Sequence, residues 1–171
     1  MSPPQGTSLP IIIDVEASGF GPSSYPIEIG LVMETGDKYC TLVAPAPHWT
    51  HWDCSAEDVH RIPRDILEIH GKPARTVAED LNGLLDGRTV YTDGWVVDKP
   101  WITKLFHEGQ VEPNFRTSAL EMILSEDQMT RWHATKERVL DDLNLTRHRA
   151  SYDALVIQQT WARTRVKAVA N

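Results

Sequence analysis

The chain has 171 residues, room for one domain with a substantial core and too little for two comfortable ones. Hydrophobic residues at 41% and charged residues at 24% are ordinary for a soluble globular protein, and no apolar run approaches a membrane span, so no membrane partner is expected. The formal net charge of -7 argues against a protein that coats nucleic acid by electrostatics alone. It leaves room for an enzyme that meets phosphates through bound cations, because such ions invert the local sign.

Residues 1–8 are polar and Pro-containing, and read as a flexible N-terminus without the apolar core of a signal peptide. Residues 9–171 are then expected to form a single domain. Leu9 to Val15 is β-branched and apolar, hence a strand. Gly19 to Pro26 is a loop. Ile27 to Glu34 and Lys38 to Ala44 are strands joined by a Thr35-Gly36-Asp37 turn, which makes an antiparallel meander. The two cysteines, Cys40 and Cys54, match neither a zinc pattern nor a secreted disulfide framework, so a reducing cytoplasm is expected. Pro45 to Cys54 is irregular. Ser55 starts a helical turn, and Pro63 opens a helix to Ile69.

Thr76 reads as the N-cap of a helix to Leu85, with Glu79 completing a capping box. Thr89 to Tyr91 is a fourth strand, Asp98 opens a helix to His107, and Asn114 to Thr117 is a fifth strand. Ser125, with Gln128 three residues on, caps a helix to Leu143. Ser151 caps the last helix, to Ala168. A meander followed by strands alternating with helices predicts an α/β fold, a mixed sheet flanked by helices.

Alternate side chains of a strand share a face, so Ile12, Asp14 and Glu16 point one way and Ile11, Ile13 and Val15 the other. Two carboxylates about 7 Å apart on one face repel unless a cation lies between them. Their oxygens suit Mg²⁺ or Mn²⁺. In isolation, a strand end reaching solvent, with both acids simply hydrated, is the preferred reading of this pair. Asp98 reads locally as a helix cap before Pro100 and also as a ligand, with Asp93 as its rival. His148 and Asp153 flank the start of the last helix, where the helix dipole favours the acid. A neutral imidazole there can take a proton from a water near physiological pH.

These pieces, in this order, resemble the DnaQ-like (DEDDh) 3′–5′ exonucleases. Asp14-Val15-Glu16-Ala17-Ser18-Gly19-Phe20 is similar to the first family motif, Asp-x-Glu-Thr-Thr-Gly-Leu. Val97-Asp98-Lys99-Pro100-Trp101-Ile102 is similar to the second, and His148 to Asp153 matches the third, His-x-Ala-x-x-Asp. Val59-His60-Arg61-Ile62 resembles the family's His-Gly-Ile element. Ala17, Phe20 and Gly94 depart from the pattern, the last standing where an Asn is usual.

The resemblance implies an RNase H-like fold with a five-stranded mixed sheet, residues 9–171 being one exonuclease domain. It implies two Mg²⁺ or Mn²⁺ ions held by Asp14, Glu16, Asp98 and Asp153, with His148 as general base. The reaction implied is hydrolysis of the last phosphodiester at the 3′ end of single-stranded DNA or RNA, releasing nucleoside 5′-monophosphates. Ala17, Ser18, Gly19 and Phe20 would touch the terminal nucleotide, Phe20 as a stacking wedge or alternatively as core. His60 and Trp95 are further candidates for substrate contact. A homodimer is compatible with the resemblance.

Trp101 and Trp161 are expected in the core; Trp49 and Trp52 line either a groove or a dimer contact. His48 and His51 have zinc-like spacing without partner ligands and are expected to be structural. Arg147 and Arg149 are placed to meet phosphates, while Arg163, Arg165 and Lys167 are expected on a solvated helix face. Two other functions compete with the nuclease: a non-catalytic nucleic-acid-binding module on the same fold, and a phosphodiesterase acting on small nucleotides.

Overall fold

A computed structural model describes residues 8–144 and 148–165. Strand β1, Ile11–Ala17, is the centre of the sheet. It pairs antiparallel with β2, Pro26–Val32, and parallel with β4, Thr89–Thr92. Outside these lie β3, Lys38–Leu42, antiparallel to β2, and β5, Arg116–Ala119, parallel to β4. The order is β3-β2-β1-β4-β5, the mixed five-stranded sheet that the element order implied. Gly36, with φ of 88°, turns the β2–β3 hairpin.

Alternation along β1 builds two apolar layers. Ile11, Ile13 and Val15 join Ile27, Ile29 and Leu31 of β2 in the larger cluster. That cluster is closed by α3, Ala74–Leu85, through Val77, Leu81 and Leu85. It is also closed by α4, Trp95–Gly109, through Trp101, Ile102 and Leu105. On the other face, Ile12 and Val32 pack under Ala154, Ile157 and Trp161 of α6, Ala150–Arg165. Each fully buried Ile contributes roughly 1.5–3 kcal/mol relative to exposure. Two short helices, α1 (Cys54–His60) and α2 (Arg64–His70), cross between β3 and α3. A 3₁₀ turn, Leu120–Ile123, leads from β5 to α5, Glu126–Leu143, which packs on α6.

Several boundaries differ from expectation. Thr76 is not a cap: α3 starts after Pro73, and Thr76 lies inside it. The cause is the buried stripe Ala74, Val77, Ala78, Leu81 and Leu85, which extends one turn further back than the capping-box pattern allowed. Asp98 does not open its helix either. α4 starts three residues earlier, the amides of Val97 and Asp98 both donating to the carbonyl of Gly94. Pro100 therefore sits inside the helix rather than in its first turn.

Ser151 is likewise within α6, whose first residue is Ala150. β1 runs on to Ala17, and β5 begins two residues later than expected. The capping box of Ser125 and Gln128 forms as read. The readings of Met1 to Thr7, Arg147, Lys167 and the end of the last helix at Ala168 lie outside the described residues. Among the described residues, no helix is long and apolar enough to cross a membrane.

Candidate active site

The α6-facing side of the β1–β2 pair changes character along the strands. Ile12 pairs with Val32, Asp14 with Gly30, and Glu16 with Glu28. A dry end thus passes into an acidic end within two register steps. The register slips between Glu16 and Ala17, which frees the motif residues beyond from the regular ladder.

Gly30 is where α6 comes down. A β-carbon there would stand 2.1 Å from the amide nitrogen of Ser151, so the helix backbone rests directly on β2. That close approach delivers Asp153, in the first turn of α6, and His148 just before it, to the strand carboxylates. Ligand atoms of Glu16, His148 and Asp153 lie within 4.8 Å of one another. His148 has φ of 62°, and its backbone N–H donates to Asp153 Oδ2 at 2.9 Å. A β-substituted residue held in the left-handed region is costly, and such residues gather where function needs a fixed direction.

Asp98 arrives from α4. It is 3% exposed and accepts a hydrogen bond from the Thr92 hydroxyl, which itself accepts the Gly94 amide at 2.9 Å. A β-carbon on Gly94 would sit 2.9 Å from Asp98 Oδ2, so the missing side chain makes room for this carboxylate. The residue where the family pattern carries Asn is therefore compatible with a well-held Asp98. Asp93 is drawn away into an ion pair with Lys136 at 2.9 Å.

Asp14, Glu16, Asp98, His148 and Asp153 line one cleft of about 520 Å³. Of the residues expected to touch substrate, Ala17, Gly19, Phe20 and His60 line it too. Ser18 and Trp95 do not. Ser18 is fully buried, its hydroxyl bonded to the Tyr25 amide and to His51 Nδ1 at 3.1 Å. Phe20 is 74% exposed at the mouth, 6.2 Å from the ring of Trp101, and is not core. The loop carrying it is tied to α4 by Trp101 Nε1 donating to Ser24 and by Lys104 donating to the carbonyls of Pro22 and Ser24.

His60 is buried, its Nδ1 accepting the Ile62 amide at 3.0 Å, with Nε2 left without a hydrogen-bond partner. Trp101 and Trp161 are core as expected. Trp49 is buried and stacked on Tyr25, where the aromatic pair seals the larger cluster, and its edge lines a shallow pocket with His48, His51 and Lys104, apart from the acidic cleft. Trp52 is half-buried, donating to Glu57. His48 pairs with Glu108.

The cleft concentrates negative charge. Burial, then Asp98, Glu16 and Asp153, hold the Asp14 carboxyl well above the usual carboxylate range. Glu16 is pushed up to about 7 by burial, then by Asp153 and Glu28. Burial raises Asp98 as well, against the Thr92 hydrogen bond. Raised acids packed around one space are the donor set of a divalent oxygen-seeking cation, which would relieve the repulsion that raises them. The residues present fit such a group.

Sequence reasoning missed two groups. Thr92 orients Asp98, and nothing in a four-residue strand marked it. Glu28 accepts from Arg149 and the Ala150 amide, and is fully buried. Its signal was a lone acid inside the apolar run Ile27 to Val32.

No protein-family model matches the chain, and no curated protein matches it. Among solved structures it is similar to E. coli exonuclease I in complex with a dT13 oligonucleotide. The TM-score is 0.72 at 12% identity, over 94% of this chain and 42% of that one. The dA16 complex gives 0.67 at 11% identity, over 91% and 40%. The zinc-bound form of a complex with single-stranded DNA gives 0.66 at 14% identity, over 94% and 41%. The chain thus spans about two fifths of the length of these structures. The likeness establishes the fold as RNase H-like.

Proposed function

We propose that the chain is a divalent-metal-dependent 3′–5′ exonuclease on single-stranded nucleic acid, releasing nucleoside 5′-monophosphates, with residues 9–171 as its exonuclease domain. The observation that carries this reading is the convergence of four carboxylates and one imidazole, from β1, α4 and the start of α6, on one open cleft. The likeness to exonuclease I, solved with oligonucleotides, supports it.

Asp14, Glu16, Asp98 and Asp153 would hold two Mg²⁺ or Mn²⁺ ions. Bound there, such a pair supplies charge stabilisation to the attacking and leaving oxygens of a phosphodiester. His148 takes the proton of the attacking water. Its backbone bond to Asp153 and its left-handed conformation fix the direction in which its side chain leaves the main chain. Thr92 holds Asp98 in one orientation. Ala17, Gly19 and His60 line the wall against which a terminal nucleotide sits, and the exposed ring of Phe20 offers a face for its base.

With Mg²⁺ or Mn²⁺, the purified protein is expected to shorten a 5′-labelled single strand one nucleotide at a time. Asp14→Ala and His148→Ala should each lower the rate by about 10²-fold or more. A single strand left intact under every metal condition would overturn the proposal.

A further inference from the structure

The mechanism above leaves unused the most deeply held charge next to the site. Glu28 of β2 is fully buried, directly opposite Glu16. Both of its oxygens are engaged. Arg149 approaches with two prongs, Nη2 to Oε1 at 2.6 Å and Nε to Oε1 at 3.0 Å and Oε2 at 3.2 Å. The Ala150 amide donates to Oε2 at 2.9 Å, and the Cys40 thiol approaches Oε1 at 3.4 Å. Arg149 and Ala150 are the two residues that follow His148, and Asp153 lies three beyond. Arg149's carbonyl also accepts the amides of Tyr152 and Asp153. The segment carrying His148 and Asp153 is therefore fastened to the central sheet at Glu28, one strand away from Glu16.

We propose that Glu28 is a positioning residue. Its buried carboxylate, through Arg149 and the Ala150 amide, sets where His148 and Asp153 stand relative to Glu16. The inference rests on the nuclease reading of the cleft. Removing the anchor leaves every reacting group in place chemically and lets two of them drift, and a drift of about 1 Å can cost roughly 10²-fold in turnover. Groups that orient ligands commonly cost 10–100-fold in activity or metal affinity when lost.

The test separates position from electric field. Glu28→Gln removes a negative charge, and Arg149→Gln removes a positive one. Positioning requires both to act in the same direction. Each should lower kcat on a labelled single strand by about 10–100-fold, leave KM within about threefold, and weaken Mn²⁺ binding measured by titration calorimetry. A pure field effect predicts opposite changes in Mn²⁺ affinity for the two variants, and that result overturns the proposal. Arg149→Lys keeps the charge and loses the fork, so its kcat should stay low; wild-type turnover there also overturns it. Arg149 is half-exposed, so its variants carry the test if Glu28→Gln does not fold. A wild-type protein that binds Mn²⁺ but cleaves no nucleic acid sinks the nuclease reading alone. The Mn²⁺ measurements then decide the role of Glu28.

Discussion

Glu16 ties charge to stability most directly. Its proton is held up to about pH 7, against a usual value of 4.5. The folded state therefore binds more protons than the unfolded chain between these values, and folding stability falls as pH rises through them. At about 1.4 kcal/mol per pH unit the loss is of order 3 kcal/mol. In chelator, Glu16→Gln should melt above wild type at pH 8 and level with it near pH 4, by thermal unfolding. Parallel pH profiles would count against the burial of this acid. Gly94→Ala asks a steric question. Its new β-carbon would meet the Asp98 carboxylate at 2.9 Å. Activity should fall about 10-fold or more while the melting temperature moves little, as expected for a displaced orienting contact; unchanged turnover would show that Asp98 has slack. Asp14 and Glu16 were legible because a strand's period of two put them on one face. Thr92 and Glu28 were hidden because their roles are read through partners 6 and 121 residues away.

At the scale of elements, the decisive contact is α6 on β2. Gly30 lacks a side chain where the helix backbone touches the strand, with Ser151 nitrogen and Ala150 carbon both within 2.2 Å of the place a β-carbon would take. Backbone cannot move aside as a flexible side chain can. Gly30→Ala should therefore cost about 3 kcal/mol or more in denaturant unfolding. It should also lift α6, and Asp153 with it, away from Glu16. A stable and fully active variant would contradict the packing. Strands and their pairing were readable from alternation and turn residues. Helix starts at α3, α4 and α6 were not, because Thr76, Asp98 and Ser151 are good caps in isolation. Buried stripes and tertiary contacts moved each start toward the N-terminus.

For the whole molecule, the order of elements gave a mixed sheet flanked by helices, and the motif resemblance implied its five-stranded RNase H-like form. The site lies where β1 carries its acids, and α4 and α6 close on it from opposite faces of that sheet. No single element carries all five groups, so they line one cleft only when the fold brings β1, α4 and the start of α6 together. If the proposed function holds, a chain of net charge -7 needs cations between itself and a polyanionic substrate. Its activity should therefore vanish with chelator and return with Mg²⁺ or Mn²⁺. The most direct measurement of the central claim is the identity of the first product, read by mass spectrometry from a single strand of mixed sequence. The 3′-terminal residue is expected first, as a nucleoside 5′-monophosphate, followed by its neighbours in order. Nucleoside 3′-monophosphates, internal fragments or release from the 5′ end would contradict it.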